Sequence, residues 1–287
     1  MILGTTKLLG VVGYPVAHSL SPVMHNAAIA QLGADYIYLP FPVAPDQLKP
    51  AIAGFQAIGV QGFNVTIPHK QTVMPLLSGI SEVAQVIGAV NTVAWTDQGW
   101  WGTNTDVIGF MAPLKAMNRD WQGAIALVLG NGGSARAVVA GCAQLGCADT
   151  WVVGRDPKKL EAFHASWQDS TLVPRLSVYP WSELPVLLPQ ASLVVNTTPI
   201  GMHPKVEETP LSQAEIESLQ PGAIAYDLIY TPRPTQFLQL AQSRGAIACD
   251  GLEMLVQQGA AALELWLQQP VPVDTMRQSL LEQLQGK

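Results

Sequence analysis

The sequence predicts an α/β fold in two domains, and three observations support this. Short apolar segments rich in β-branched residues alternate with helical segments along the whole chain. Its 287 residues exceed one ordinary domain and suit two. From about residue 107 the predicted strands become almost continuously apolar. Such strands are expected in a parallel sheet that has helices on both faces.

The first part of the chain predicts strands and helices in alternation. The predicted strands are KLLGVVGY, YIYLPFPV, GFNVT and NTVAW, and the predicted helices are SPVMHNAAIAQLG and PDQLKPAIAGFQAIG. In the first helix, Ser21 and Pro22 predict the N-cap and the first turn, and Gly33 predicts the end.

The second part predicts a parallel sheet followed by helices. Its predicted strands are IALVLG, TWVVGR, LSVYP, LVVNTT and AIAYDLIY, and the helices between them include SARAVVAGCAQLG and PKKLEAFHASW. Two further helices, GLEMLVQQGAAALELWLQQ and TMRQSLLEQLQ, are predicted at the end of the chain.

Composition excludes several classes of protein. Apolar residues make up 48% and charged residues 13%, so the chain is not mainly disordered. A net charge of −6 gives no general attraction to nucleic acid or to an anionic membrane. The sequence lacks an apolar run long enough to span a bilayer, and its start is a poor signal peptide. We therefore expect a cytoplasmic protein without nucleic-acid or membrane partners.

Cysteine and histidine give no metal pattern. Cys142, Cys147 and Cys249 lack zinc-site spacing, and we interpret them as small buried residues in a reducing compartment. The five histidines also lack ligand spacing and are interpreted as loop or core residues. No metal is predicted.

The segment IALVLGNGGSARAVVAGCAQLG predicts a dinucleotide site. Gly130, Gly132 and Ala135 fit the pattern G-x-G-x-x-G/A between a strand and a helix. The first glycine permits a tight turn, the second lets a pyrophosphate approach the backbone, and the alanine allows close helix–strand packing. The N–H groups of the helix start would face the anion.

The end of the next strand indicates which nucleotide is bound. Arg155 stands where an acid would bind the ribose of NAD, and Lys158 and Lys159 follow it. Arginine suits the 2′-phosphate of NADP. The alternative is a solvated helix start with ordinary surface lysines. Asp156 complicates the choice, but Pro157 follows it, so we expect the Asp156 side chain to cap the next helix rather than to face the ribose. NADP is therefore favoured.

Small polar groups accumulate in the first part of the chain. Ser19 and Ser21 lie between a strand end and a helix start, where hydroxyls and helix N–H groups could hold a carboxylate. The alternative is that Ser21 only caps its helix and Ser19 is a loop residue. Further polar groups near predicted strand ends are Asn64, Thr66, Lys70, Asn91, Asn104, Thr105 and Asp106. Together they suit a small polyhydroxylated ligand.

Lys70 and Asp106 are the candidate catalytic residues. A ketone that is reduced by hydride needs a proton on its oxygen, and an ammonium group can donate it. A nearby carboxylate can orient the lysine. The alternatives are a surface lysine at a helix start and an aspartate that caps the helix VIGFMAPLKAM.

The order of these motifs resembles the shikimate dehydrogenase family along nearly the whole chain. The motifs are GYPVAHSLSPVMHN, NVTIPHK, IGAVNT, GTNTD, GNGGSARA, NTTPIGM, DLIYTP and DGLEMLVQQ. The resemblance implies a catalytic substrate domain from residues 1–106 and 252–287. It also implies a Rossmann-type NADP domain over 107–251, with a cleft between the two.

The resemblance also implies residue roles. Ser19, Ser21 and Tyr230 would bind the substrate carboxylate. The ring hydroxyls of shikimate or 3-dehydroshikimate would be bound by Thr66, Asn91, Asp106 and Gln258, with Lys70 as the acid/base. Cofactor contacts would come from Gly130, Asn131, Gly132, Gly133, Ser134, Gly154, Arg155, Asp156, Lys158, Lys159, Ile229, Gly251 and Glu82. The implied reaction is the NADPH-dependent reduction of 3-dehydroshikimate in aromatic amino-acid biosynthesis, by a monomer or homodimer.

One departure from the family pattern concerns the cofactor. The usual Asn-Arg-Thr after the second cofactor strand is here Gly154, Arg155 and Asp156. Three alternatives remain open: a quinate/shikimate dehydrogenase that uses NAD, a non-catalytic NADP-binding sensor, and a Rossmann protein with an unrelated substrate. The sensor predicts damage at Lys70 or Asp106, and both residues are present. The last alternative leaves the polar clusters without a purpose.

Overall fold

A computed structural model describes residues 2–168, 170, 173 and 175–286. In this part of the chain the strands are β1 (Lys7–Gly13), β2 (Tyr36–Pro42), β3 (Val60–Val65), β4 (Gly79–Ile80), β5 (Thr92–Thr96), β6 (Gly99–Thr103), β7 (Ile125–Leu129), β8 (Asp149–Gly154), β9 (Leu176–Pro180), β10 (Leu193–Asn196), β11 (Ile224–Asp227) and β12 (Ile247–Cys249).

The helices of the same described residues alternate with these strands. They are α1 (Ser21–Leu32), α2 (Leu48–Ala57), α3 (Glu82–Ile87), α4 (Asp106–Ala116), α5 (Gly133–Leu145), α6 (Pro157–Ala165), α7 (Leu184–Leu187), α8 (Gln213–Glu217), α9 (Gln236–Ser243), α10 (Leu252–Leu267) and α11 (Val273–Gln285). Short 3-10 turns lie at Pro45–Gln47, Met74–Leu76, Trp181–Glu183 and Leu188–Gln190. The predicted α/β class is confirmed.

The chain divides into two compact units. The first consists of Met1–Gly109 and Leu255–Lys287, and the second of Phe110–Met254. The chain therefore leaves the first unit within α4 and returns to it within α10. The predicted domains, 1–106 with 252–287 and 107–251, have limits within a few residues of the limits of these units. Their roles as substrate and cofactor domains stay a prediction.

In the first unit a mixed sheet brings the polar segments to one edge. Its strand order is β2-β1-β3-β5-β6-β4. β1 runs parallel to β2 and β3, whereas β5 runs antiparallel to β3 and to β6. The ends of β1, β3 and β6 therefore meet the start of β5 at the same edge. From the sequence, we expected the polar groups of all these segments near the carboxyl ends of strands. That expectation is wrong for Asn91, which lies directly before β5.

Helix α10 packs closely against this sheet. A Cβ added to Gly62 in β3 would overlap the indole of Trp266. The same indole donates a hydrogen bond from Nε1 to the Val93 carbonyl in β5 at 3.0 Å. The absence of a side chain at Gly62 thus lets the helix approach the middle of the sheet.

The second unit has the Rossmann arrangement. Its strand order is β12-β11-β10-β7-β8-β9, and every pair is parallel. If β7 is numbered 1, this is the 3-2-1-4-5-6 order. Successive strands are added on one side of β7 up to β9 and on the other side from β10 onwards, so the topological switch point lies between β7 and β10. Buried apolar residues from the strands and helices fill one side of the sheet, among them Leu127, Val194 and Phe237.

The structure corrects the predicted start of α1. Ser21 is the first residue of the helix, and the N-cap is Leu20, whose side chain has no oxygen to accept a hydrogen bond. The Ser19 hydroxyl instead accepts the N–H of Ser21 at 3.3 Å. The end at Gly33 is confirmed, since its φ of 62° is left-handed. Glycine adopts such a conformation without steric cost.

Several short elements were not predicted. β4, β6, α3, α8, α9 and β12 have two to eight residues each. Over such lengths a pattern of apolar residues covers too few periods to stand out. Among the described residues, no helix is long and apolar enough to cross a lipid bilayer.

Candidate active site

Lys70 and Asp106 form a buried ion pair in the first unit. The lysine Nζ donates to Asp106 Oδ2 at 2.6 Å, and the two side chains are 12% and 6% exposed. Lys70 follows β3, and Asp106 begins α4 after β6. The pairing thus results from the sheet order. A buried pair of this kind needs further hydrogen bonds to hold both charges.

Asn91 supplies one of those hydrogen bonds. Its Nδ2 donates to Asp106 Oδ1 at 2.8 Å, and more weakly to Gln258 Oε1 at 3.3 Å. Its Oδ1 accepts the Thr105 N–H at 2.7 Å and the Thr92 hydroxyl at 2.9 Å. Asn91 therefore fixes one carboxylate oxygen of Asp106 and leaves the other to Lys70.

The alternative role for Asp106, as the N-cap of α4, is wrong. Asp106 is the first helical residue, and its own N–H donates to Asn104 Oδ1 at 2.9 Å. Asn104 thereby satisfies the free helix N–H, while its Nδ2 donates to the Ala89 carbonyl. The carboxylate of Asp106 is thus free to face Lys70 and Asn91. The alternative of a surface position for Lys70 is also wrong.

A second hydrogen-bonded group surrounds the serines after β1. Ser21 is buried, and its side chain forms a hydrogen bond with the phenol of Tyr38. The Tyr38 hydroxyl donates to Asn64 Oδ1 at 2.7 Å. Asn64 Nδ2 in turn donates to Thr92 Oγ1 at 3.1 Å. Burial raises the pKa of Tyr38 well above its ordinary value, so the phenol stays protonated.

Thr66 and Glu82 complete the predicted residues of this unit. Thr66 is half-buried, and its methyl group fills the space that a side chain at Gly13 would need. Glu82 is exposed at the start of α3, whose N-cap is Ser81. The structure therefore brings Lys70, Asn91, Asp106 and Gln258 together, whereas the Glu82 side chain is exposed on α3.

The histidines of this unit are core or surface residues. His69 is buried, with Nε2 against the Val43 carbonyl at 2.7 Å, and His18 is exposed. His25 stacks on Tyr38 at 4.0 Å between ring centres. Within the described residues, no group of three or more His, Cys, Asp or Glu side chains is placed to hold a metal ion.

The glycine loop of the second unit is shaped for an anion. Gly130 follows β7 with a φ of +101°, and a Cβ there would meet the side chains of Thr197 and Thr198. A Cβ on Gly132 would meet nothing within 4 Å. Gly132 is also the N-cap of α5, so no side chain caps the helix. Its first N–H groups remain available, as a pyrophosphate requires.

Asp156 caps helix α6. Its carboxylate accepts the N–H groups of Lys158 and Lys159 at 3.0 and 3.3 Å. The cap that the following proline predicted is therefore confirmed. Gly154, just before, lies close to the glycine loop, because a Cβ there would be 3.3 Å from Cγ of Asn131. The two positively charged lysines and Arg155 are exposed.

The loops after β11 and β12 hold the remaining predicted residues: Ile229 and Tyr230 follow β11, and Gly251 follows β12. Asp227 organises the loop after β11: it accepts the Ile229 N–H at 3.1 Å, the Thr235 hydroxyl at 2.7 Å and Asn196 Nδ2 at 3.0 Å. Burial raises the pKa of Asp227 to about 6, although these three hydrogen bonds lower it. Gly251 donates its N–H to the Ile229 carbonyl, and a Cβ on it would overlap the Leu228 carbonyl.

Sequence reasoning missed three groups here. Tyr38 connects Ser21 to Asn64, Thr92 contacts both asparagines, and Asp227 fixes the loop after β11. Asp227 had a usable signal, because a lone carboxylate interrupts the otherwise apolar segment AIAYDLIY. Tyr38 had none, since tyrosine is common in strands.

The two sites fit a phosphorylated dinucleotide and a small polar substrate, and known proteins agree. Two family models match: the shikimate dehydrogenase substrate binding domain over residues 11–93, and the shikimate 5′-dehydrogenase C-terminal domain over residues 251–281. A curated shikimate dehydrogenase (NADP(+)) of Trichormus variabilis is 65% identical over 99% of both chains.

Solved structures agree over nearly the whole chain. A shikimate dehydrogenase in complex with NADP+ has a TM-score of 0.88 at 35% identity, covering 99% of this chain and 98% of its own. Quinate dehydrogenase from Corynebacterium glutamicum, in complex with NAD, has a TM-score of 0.86 at 28% identity, covering 96% and 99%. From its motifs, its site residues and these relatives, the chain belongs to the shikimate dehydrogenase family.

Proposed function

We propose that this protein is an NADP-dependent shikimate dehydrogenase, which reversibly reduces 3-dehydroshikimate to shikimate in aromatic amino-acid biosynthesis. The observation that carries the proposal is the Lys70–Asp106 pair, at 2.6 Å, within the Asn91 and Gln258 network. A polyhydroxylated ring ketone needs a proton donor at its oxygen and several neutral hydrogen-bonding groups around it. This arrangement provides both.

The substrate residues divide by the charge they meet. Ser19 lies on the loop before α1 and Ser21 in the first turn of that helix, and we assign both to the substrate carboxylate together with Tyr230. Neutral hydroxyls and helix N–H groups can stabilise a carboxylate by charge-assisted hydrogen bonds. The residues assigned to the ring hydroxyls are Thr66, Asn91, Asp106 and Gln258. Their side chains include both hydrogen-bond donors and hydrogen-bond acceptors, and a hydroxyl group needs both.

Proton transfer follows from the ion pair. NADPH, when bound, supplies the hydride that reduces the carbonyl carbon. Negative charge then develops on the carbonyl oxygen, and the Lys70 ammonium donates a proton from Nζ to it. Asp106 orients that ammonium with one oxygen, while Asn91 holds the other oxygen in place. In the oxidative direction Lys70 takes the proton from the alcohol.

Cofactor binding is assigned to the second unit. The N–H groups of residues 130–134 would take the pyrophosphate, and Arg155, with Lys158 and Lys159, the 2′-phosphate. Ile229 and Gly251 are assigned to the nicotinamide, and Glu82 to a further cofactor contact by resemblance alone. The carboxylate of Asp156 is engaged with backbone N–H groups, so it does not stand ready to bind a ribose hydroxyl as NAD would require.

The remaining assignments concern context. We propose a cytoplasmic enzyme, which the free cysteines support, and a monomer or homodimer whose partner is its small-molecule substrate. The NAD-dependent quinate reading is not favoured, because Arg155 is present and Asp156 is occupied. A non-catalytic sensor is not favoured either, since Lys70 and Asp106 are paired and buried.

One assay tests the function. The purified protein is given shikimate or quinate with NADP or NAD, and formation of the reduced nicotinamide is followed by its near-ultraviolet absorbance. We expect shikimate with NADP to give the highest kcat/KM. A preference for NADP over NAD of at least about a hundredfold, or roughly 2.7 kcal/mol, is expected from Arg155. Equal use of both cofactors, or a preference for quinate, would contradict the proposal.

A further inference from the structure

Arg155 and Trp181 lie side by side at the carboxyl edge of the second unit's sheet. β8 and β9 are parallel, and their register pairs Gly154 with Pro180. Arg155 is the residue that follows β8, and Trp181 is the residue that follows β9. The guanidinium carbon of Arg155 lies 5.0 Å from the centre of the Trp181 ring. This is a cation–π distance, and strand register brings the two side chains to it.

Trp181 is the fixed member of this pair. Its indole is half-buried and packs against the apolar core of the second unit. Trp181 also begins the 3-10 turn Trp181–Glu183, directly before α7, which restrains its backbone. Arg155, by contrast, is exposed. An exposed arginine side chain samples many rotamers, and restricting it to one of them on binding a ligand costs conformational entropy.

The neighbouring carboxylate of Asp156 has other hydrogen-bond partners than the Arg155 guanidinium. Asp156 accepts two backbone N–H groups at the start of α6. A guanidinium whose face rests on an aromatic ring keeps its N–H donors in its own plane, and these donors bind phosphate in a bidentate manner. The indole can therefore restrain Arg155 without consuming the edge that a phosphate needs.

We propose that Trp181 is a positioning residue for the 2′-phosphate of NADP: its indole holds the Arg155 guanidinium in the orientation that binds this phosphate. The inference rests on the proposed NADP dependence and adds to it a residue that determines cofactor preference through Arg155. It predicts that Trp181 contributes to affinity only for nucleotides with a 2′-phosphate, and only while Arg155 is present.

The competing role for Trp181 is direct stacking on the adenine. Every adenine nucleotide has the same ring, so that role would affect 5′-AMP and 2′,5′-ADP equally. It would also persist in a protein without Arg155. The two roles therefore differ in ligand dependence and in their coupling to Arg155.

Calorimetric titration of the full chain with 2′,5′-ADP and with 5′-AMP tests the inference without turnover. The variants are Trp181→Leu, Trp181→Phe, Arg155→Ala and the Trp181→Leu/Arg155→Ala double variant. Trp151→Leu is the matched control, because Trp151 is a half-buried indole on the same apolar core whose described ring contact is Tyr179. Thermal unfolding of each variant establishes that it is folded.

We expect Trp181→Leu to weaken 2′,5′-ADP by about fivefold, the scale of a cation–π contact and one restrained side chain. Affinity for 5′-AMP should change by less than about twofold, and Trp181→Phe should retain most of the 2′,5′-ADP affinity, because a phenyl ring also offers a face to the guanidinium. In the Arg155→Ala background, Trp181→Leu should cause no further loss. Trp151→Leu should bind both ligands like the native protein.

Two results would overturn the inference alone: an equal loss for both ligands, or a loss on Trp181→Leu that persists without Arg155. Native protein that binds 2′,5′-ADP no better than 5′-AMP would overturn the NADP assignment together with the inference. The two failures are thus distinguishable, because the native titration reports on the cofactor and the variants report on Trp181.

Discussion

Lys70 is the residue on which the chemical step depends. Replacing it with alanine removes the proton donor and leaves the Asp106 carboxylate buried without its cation. We expect Lys70→Ala to lower kcat by about two to four powers of ten, the usual scale for loss of an acid–base group. Binding of NADPH should change little, because the glycine loop belongs to the other unit.

The control for this experiment is Lys49→Ala, which removes an exposed lysine of the same unit. It should leave kcat and NADPH affinity unchanged. Steady-state kinetics and NADPH titration on the same preparations give both quantities. A Lys70→Ala protein with near-native kcat would remove Lys70 from the mechanism.

Ser19 tests how the carboxylate is bound. Its hydroxyl accepts the Ser21 N–H in the structure and can still donate to an anion. A charge-assisted hydrogen bond is worth roughly 1.5–3 kcal/mol, so Ser19→Ala should raise the KM for shikimate by about one to two powers of ten. The KM for NADP serves as the internal control and should stay constant. An unchanged shikimate KM would make Ser19 a loop residue only.

Residue patterns alone could not separate the two caps. Ser21-Pro22 and Asp156-Pro157 predict the same thing, an N-cap followed by a first-turn proline. Asp156 has an extended backbone, with φ −104° and ψ 110°, and accepts two N–H groups. At α1 the chain turns one residue earlier, and the Ser21 hydroxyl faces Tyr38 instead. That difference depends on tertiary neighbours, so the local sequence could not show it.

At the scale of elements, the contact between β3 and α10 depends on Gly62. A Cβ there would overlap the Trp266 indole, which is itself held by its hydrogen bond to Val93. We expect Gly62→Ala to lower the free energy of unfolding by about 1–3 kcal/mol, the usual cost of overpacking. Urea denaturation measures this change.

Gly54 provides the opposite case in the same unit. It lies inside α2, and a Cβ there would meet no atom within 4 Å. Alanine is the better helix former, so Gly54→Ala should raise the unfolding free energy by up to about 1 kcal/mol. If Gly62→Ala were as stable as Gly54→Ala, the close approach of α10 to the sheet would be wrong.

Sheet topology explains what the sequence could predict of the site. Alternating apolar segments predicted both sheets, and the polar groups after β3 and β6 were correctly expected near one edge. The short strand β6 has the sequence GWWGT, which carries no clear alternation, and β5 runs antiparallel to its neighbours. Asn91 therefore lies before its strand rather than after one. Only the assembled sheet reveals that this places it against Asp106.

At the scale of the whole molecule, two buried groups respond to pH in opposite directions. Asp227 of the second unit has a pKa raised to about 6 by burial, so its contribution to the stability of the folded protein is lost as pH rises through that value. His25 of the first unit has a pKa lowered to about 4, chiefly by burial. Its contribution is complete above the unfolded value of 6.5 and is lost as pH falls toward 4.

His25 therefore makes the last prediction. Its ring is fully buried, stacks on Tyr38 and contacts the Ser21 carbonyl through Nδ1 at 2.8 Å, which suits the neutral form. The unfolded chain binds a proton near pH 6.5, whereas the folded chain resists it until about pH 4. Between pH 7 and pH 5 this difference should remove about 2 kcal/mol of stability, while protonation of Asp227 returns about 1 kcal/mol.

Replacement of His25 by phenylalanine isolates the histidine term, because the ring can still stack on Tyr38 but takes up no proton. Urea denaturation of the native protein and of His25→Phe at pH 7 and pH 5 gives four unfolding free energies. Their double difference should be about 2 kcal/mol, with the variant losing less stability on acidification. The Asp227 contribution is common to both proteins and cancels. If both proteins lose the same stability between these pH values, His25 is protonated as readily in the folded chain as in the unfolded one, and its burial against Tyr38 and Ser21 does not control the acid response.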